Sequence, residues 1–201
     1  MSKTIILPPS IDEGLSRRRL LGGSGQAVLS AGVVTLLAGC AGGMAGMPSN
    51  TAANDVAILN VALGLEHEAI AAYQLGAESK LLDKPVLDVA VLFQTHHKEH
   101  RDALAATVRK LGGAPVEAKS MGDYATALNA GAIKSQGDVL MLAARLERGA
   151  ANAYLGVIPS FKDAELAKIA GRLAADETMH WTALAGALKQ NLPAKALSFA
   201  A

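Results

Sequence analysis

Glu66 and Tyr73 stand seven positions apart, and Glu147 and Tyr154 repeat that spacing. Each pair is followed by a motif that ends in histidine: His97-Lys-Glu-His100 in the first half and Glu177-Thr-Met-His180 in the second. At helical periodicity Glu66 lies among Leu59, Ala62, Leu63, Ala69 and Ile70. Glu147 lies among Leu140, Ala143, Ala144, Ala150 and Ala151, and Glu177 among Ala170, Leu173, Ala174, Trp181 and Leu184. The three carboxylates therefore sit mid-stripe on apolar faces, where a charge is costly unless something binds it. Glu177 and His180, three apart, share one helix face and can both address a single cation. All five histidines (His67, His96, His97, His100 and His180) fall inside the motif segments. Carboxylates and imidazoles directed inward from four helices are how bundle cores build metal centres. The same residues admit a second reading, in which buried acids are hydrogen-bonded to tyrosine or histidine and no metal is present. Asp88, Asp102 and Glu165 read as surface charges, Phe93 and Trp181 as core packing, and His67 and His96 as partners or solvated side chains.

Four long helices must position these groups. The first is expected from about Asp55 to Ser79 with Asn54 or Asp55 as cap. The second follows Asp83, with Pro85 in its first turn, and stops at Gly112-Gly113. The third begins at Ser135-Gln-Gly-Asp138 and the fourth at Ser160-Phe-Lys-Asp163, both capping-box patterns. About four residues join helices one and two, and about four join three and four, so each pair is an antiparallel hairpin. The 22 residues from Gly113 to Lys134, with a short helix expected around Tyr124 to Asn129, are long enough to run the length of a bundle. The fold class is all-α: a four-helix bundle of two antiparallel hairpins joined by a long crossover, over residues 54–192, followed by a tail, 193–201. Aromatic residues make up only 3% of the chain while alanine is abundant, which suits close-packed helices rather than sheets.

Residues 1–39 carry the features of an export signal. Ser16-Arg17-Arg18-Arg19-Leu20-Leu21 is a twin-arginine pattern, and Leu37-Ala38-Gly39-Cys40 fits a lipobox. Arg17 and Arg18 would engage the twin-arginine export machinery. Cys40, the only cysteine, would be lipidated and hold the protein to a membrane, with residues 40–53 as its tether. Leu20 to Cys40 would alternatively remain as an uncleaved membrane helix. The expected location is the periplasmic side of the envelope, and Ala41 after the cysteine favours the outer membrane. A lone cysteine excludes internal disulfides and a thiolate metal site. Beyond Cys40 the net charge is near −1, with no basic patch for nucleic acid. A homodimer is compatible with this composition.

The repeated Glu-x6-Tyr, followed by Glu-x2-His, resembles the ferritin-like superfamily of rubrerythrins, bacterioferritins and related dimetal proteins. The chain is similar to exported bacterial ferritin-like domain proteins over about 55–190. The resemblance implies iron or manganese, as one or two ions, and no flavin, haem or nucleotide. It implies that Glu66 and Glu147 each cap one metal, that Glu177 bridges, and that His100 and His180 ligate one metal each. Tyr73 and Tyr154 would hydrogen-bond ligands from behind. His97 stands where the family's second bridging glutamate belongs. That leaves three carboxylates, with His97 either a nitrogen ligand of an asymmetric or single-metal site or a member of a site without metal. The resemblance implies oxidase, peroxidase or catalase-like redox chemistry. The alternative is a metal-free lipoprotein acting as a binding or structural module. The absence of any Cys-x2-Cys pair excludes the rubredoxin-type iron centre of rubrerythrins.

Overall fold

The structure, a computed structural model, describes residues 51–200. Arg17, Arg18 and Cys40, on which the export and lipidation readings rest, lie outside the described residues. Among the described residues there are five α-helices and no strand: α1 (Thr51–Glu78), α2 (Lys84–Lys110), a short α3 (Met121–Ala127), α4 (Gln136–Val157) and α5 (Ala164–Ala187). Single 3₁₀ turns lie at Ala130–Ala132 and Ile158–Ser160.

α1 packs on α2 and α4 packs on α5, with α1 also meeting α4. The order of core residues along each helix gives its direction. One apolar cluster, at the α4–α5 turn, takes Leu59 and Leu63 from α1, Leu104 and Val108 from α2, Tyr154 and Val157 from α4, and Leu166 and Leu173 from α5. The other, at the α1–α2 turn, takes Tyr73, Phe93, Leu140 and Leu184 from the same four helices. α1 and α5 are therefore parallel, and α2 and α4 run against them. The chain between α2 and α4 must traverse the whole bundle, as its length predicts. By composition α1 is long and apolar enough to cross a membrane. Its buried residues include Asp55 and Glu66, however, and it lies within this bundle as a core helix.

The crossover is fixed at both ends. α2 stops in a Schellman arrangement: Gly113 N donates to Val108 O and Gly112 N to Arg109 O, both at 2.9 Å. Gly112 takes the left-handed conformation, φ 79°, which glycine adopts without a steric cost. Gly113 is required for a different reason. A Cβ there would lie 2.5 Å from Val56 Cγ1. Further along, Asn60 on α1 donates to Ala114 O at 3.0 Å and accepts from Val116 N at 2.9 Å. His67 reaches Val116 O at 3.2 Å, so it serves the crossover. α3 then buries Tyr124, and Leu128 follows, against Ala71 and Ala72 of α1.

The short α3 starts at Met121, capped by Ser120, ahead of the expected Tyr124, and two of the long helices also differ from expectation at their starts. α1 is already helical at Thr51, the first described residue, so Asn54 and Asp55 lie inside it and residues 51–53, read as tether, belong to the helix. Thr51-Ala52-Ala53 offers little resistance to helix extension, and Asp55 is buried rather than capping. α4 starts as expected, with Ser135 Oγ accepting from Asp138 N. α5 does not start at Ser160. Phe161 is drawn into the apolar cluster at that end, Pro159 and Ser160 form a 3₁₀ turn, and Asp163 becomes the cap by accepting from Glu165 N at 2.7 Å. The tail folds back: Phe199 meets Trp181 edge-on at 5.2 Å, and the Arg148 guanidinium lies 5.4 Å and 5.5 Å from the two ring centres.

Gly113→Ala is expected to lower stability by about 1–3 kcal/mol through overpacking against Val56. Urea denaturation monitored by circular dichroism measures it, and an unchanged midpoint would refute the close approach.

Candidate metal centre

The three acids and three histidines singled out by spacing all arrive at one level, between the two apolar clusters. Glu66, His97 and Glu147 are each 1% exposed, Glu177 and His180 0%, and His100 8%. They form two overlapping groups in which one candidate ligand atom per residue lies within 4.8 Å of the others: Glu66, His97, His100 and Glu177, and His97, Glu147, Glu177 and His180. His97 and Glu177, which occupy matching positions in the two repeats, are shared by both groups.

Within this centre His97 spans two carboxylates, its Nδ1 2.7 Å from Glu66 Oε2 and its Nε2 3.2 Å from Glu147 Oε1. His180 Nδ1 lies 3.3 Å from Glu147 Oε2 and 3.4 Å from Glu177 Oε2. His100 Nδ1 lies 3.2 Å from Glu177 Oε1 and 3.6 Å from Glu66 Oε1. The tyrosines cross between hairpins: the Tyr73 hydroxyl on α1 donates to Glu147 on α4, and the Tyr154 hydroxyl on α4 donates to Glu66 on α1.

Two residues behind the histidines complete the arrangement. His100 Nε2 lies 3.2 Å from Asp176 Oδ2, and His180 Nε2 lies 2.9 Å from His96 Nδ1. In both rings Nε2 is engaged on the outer side, which leaves Nδ1 directed to the carboxylates. Asp176 is not part of the spacing pattern. It immediately precedes Glu177 and so points about 100° away around the helix. An available signal was that an inward histidine needs a partner for its second nitrogen. Phe93 closes one side, its ring stacked on His180 with centroids 4.1 Å apart.

Proximity here is not the same as satisfaction. His100 Nδ1 and both oxygens of Glu177 are buried and make no hydrogen bond, although the two side chains approach to 3.2 Å. A fully buried carboxylate with neither oxygen satisfied is costly. A cation is the partner that removes the cost for all three atoms at once. The donor set, carboxylate oxygens with imidazole nitrogens and no thiolate, fits a divalent metal ion. These buried groups could hold one.

The sequence profile of the ferritin-like domain matches residues 54–190. The chain belongs to the ferritin-like domain family. A similar fold is seen in the crystal structure of a conserved hypothetical protein from Mycobacterium tuberculosis. That protein is 22% identical, with TM-score 0.60 over 74% of this chain and 99% of the other, a likeness that shows the fold alone. No curated protein matches the sequence.

In this ferritin-like centre the acids and bases have moved their protons. Burial alone would raise Glu66 and Glu147, but the facing imidazoles hold Glu66 below the usual carboxylate range. For Glu147 the adjoining Glu177 carboxyl, His180 and His97 outweigh burial and also lower it. Glu177 goes the other way: burial and the Glu147 carboxyl beside it push it up to about 7. Burial would depress His97 and His100, yet the carboxylates around them dominate. His97 is raised well above its ordinary value by Glu147 and Glu66, and His100 is raised to about 10 by Glu177 and Glu66. A ring donating from both nitrogens to carboxylates is an imidazolium, so His97 supplies one positive charge between Glu66 and Glu147.

Between pH 6.5 and about 10 the native metal-free protein keeps a proton on His100 that the unfolded chain has lost. Between about pH 4.5 and 7 the same holds for Glu177. In both windows the folded state binds more protons, so its stability falls as pH rises. Metal-free protein is expected to melt at progressively lower temperature from pH 6.5 to 10. A flat or rising profile in differential scanning calorimetry contradicts the assigned protons. Tyr154→Phe removes the hydroxyl that Glu66 accepts from and is expected to cost about 1–3 kcal/mol, read from urea midpoints.

Proposed function

We propose that this protein is an envelope-located redox protein that holds iron or manganese, as one or two ions, between Glu66, His97, His100, Glu147, Glu177 and His180. The observation that carries this reading is the unsatisfied set of buried atoms, His100 Nδ1 and both Glu177 oxygens, inside two overlapping ligand clusters. Iron or manganese bound there would supply an open coordination position and redox change for oxidase, peroxidase or catalase-like chemistry on dioxygen or peroxide.

The chain's own residues have separable roles. Tyr73 and Tyr154 fix Glu147 and Glu66 by hydrogen bonds from the opposite hairpin. Asp176 fixes the tautomer of His100, and His96 engages the outer nitrogen of His180. Phe93 and the apolar clusters exclude bulk water. Glu177, raised to about 7 in the metal-free centre, would give up its proton on binding a cation near neutral pH. Reduction of dioxygen or peroxide by an oxidase or peroxidase route would need an electron donor from outside, because the only cysteine is Cys40 and no second redox centre of the Cys-x2-Cys type is encoded. Export through the twin-arginine machinery, which carries folded proteins, suits a cofactor loaded before translocation. Cys40 would then anchor the domain by lipid on the periplasmic side, with the outer membrane favoured.

A second reading is favoured by His97. Its imidazolium already lies between Glu66 and Glu147, as a cation would, and that suits a metal-free ferritin-like module with a binding or structural role. Metal analysis of protein purified from its export route separates the two. The metal reading expects stoichiometric iron or manganese, reduced at least tenfold in Glu177→Ala and Glu147→Ala. Protein isolated without chelators and containing no metal would overturn it. His97→Glu sharpens the contrast: it raises the metal-to-protein ratio if ions bind, and it destabilises the fold if four buried acids must face one another alone.

A further inference from the structure

The two ends of the bundle are related by the internal repeat, yet they are not packed alike. At the α4–α5 turn, where Tyr154 lies, the space left among Leu59, Leu104, Val157, Phe161 and Leu173 amounts to about 10 Å³. At the α1–α2 turn, where the matching Tyr73 lies, a cavity of about 300 Å³ remains between all four long helices. The cause is the choice of side chains. Large apolar side chains line both ends, but only Ala62 and Ala170 are small at the closed end, whereas Ala72, Gly76, Ala90, Ala143, Ala183 and Ala187 border the open one, with Val89, 41% exposed, also in its lining. Interiors are ordinarily packed to crystal density with few voids, so a gap of this size at one end only is a feature to be explained.

The lining identifies the chemistry of an occupant. No charged side chain among the described residues borders the cavity, and the hydroxyl of Tyr73, one of its walls, is already committed to Glu147. An ion or a strongly polar molecule would lose its hydration there without recompense. An apolar cavity of about 150 Å³ stays dry and accepts benzene, so one of about 300 Å³ has room for roughly twice as many atoms. Apolar concavities of this size are also the usual form of small-molecule sites. We infer that this cavity binds an uncharged apolar organic molecule of about a dozen non-hydrogen atoms, seated against the back of the carboxylate centre. Its inner wall is Tyr73, bonded to Glu147, and Phe93, stacked on His180, so the two sites share a wall made of these two rings. The inference rests on the cavity and its lining and not on bound metal.

The test uses 1-fluoronaphthalene with the full chain, first treated with chelator so that the outcome is independent of metal content, followed by ¹⁹F NMR. Saturable binding is expected, at least tenfold tighter than for the charged analogue 4-fluoro-1-naphthoate. In protein with labelled methyl groups, the shifts should fall at Val86, Leu140 and Leu184 and spare Leu63 and Leu104 at the closed end. Ala143→Phe, which fills the space, should weaken binding at least tenfold while circular dichroism shows the helices intact. Should that variant fail to fold, the methyl map of the unsubstituted protein decides alone. Absence of saturable binding, equal binding of the carboxylate, or shifts spread over both ends would overturn the inference.

Discussion

Everything in this domain answers to the cost of placing Glu66, Glu147 and Glu177 where water cannot reach them. Each is at most 1% exposed, and an unpaired buried charge is among the most destabilising features a core can contain. The bundle meets that cost in graded ways. Glu66 and Glu147 receive a tyrosine hydroxyl and an edge of the His97 ring, while Glu177 is raised toward neutrality. Among the described residues only Glu177 and His100 are left with buried side-chain atoms that make no hydrogen bond, and these come from opposite hairpins. The deficit is concentrated where a shared ligand would lie.

That concentration bears on the departure at His97. Exchanging a buried glutamate for histidine removes one negative charge and, once the ring is protonated, adds a positive one. The centre therefore tolerates the absence of an ion better than four carboxylates would. It also binds a second cation less strongly, by the same electrostatics. One structural change thus pulls affinity and apo-state stability in opposite directions, which is why the metal stoichiometry is the decisive quantity.

The bundle and the inward stripe were legible in the sequence because Glu66, Glu147 and Glu177 interrupt an apolar period of 3.6 and the crossover is too long for a hairpin. Ser135 was legible as a cap for the same local reason that it works as one. What escaped involved tertiary competition. Ser160 has the local pattern of a cap, but burial of Phe161 displaced the helix start to Asp163–Ala164. Asp176 sits off the stripe and acquires its role only from α2 across the bundle. The inequality of the two ends depends on summed side-chain volumes at facing positions, which no single helix pattern reveals.

The exchanged tyrosines carry a consequence for how such a chain could have arisen. Neither hairpin owns the hydroxyl that its own glutamate needs: Tyr73 serves Glu147 and Tyr154 serves Glu66. A solitary ancestral hairpin could have sheltered its acid only by trading hydroxyls with an identical neighbour. Fusion of two such hairpins through a segment like Gly113–Lys134 would turn that trade into an internal one, fixed at a single stoichiometry. Covalent joining would also let the halves differ, as they do at the matching positions held by Glu177 and His97.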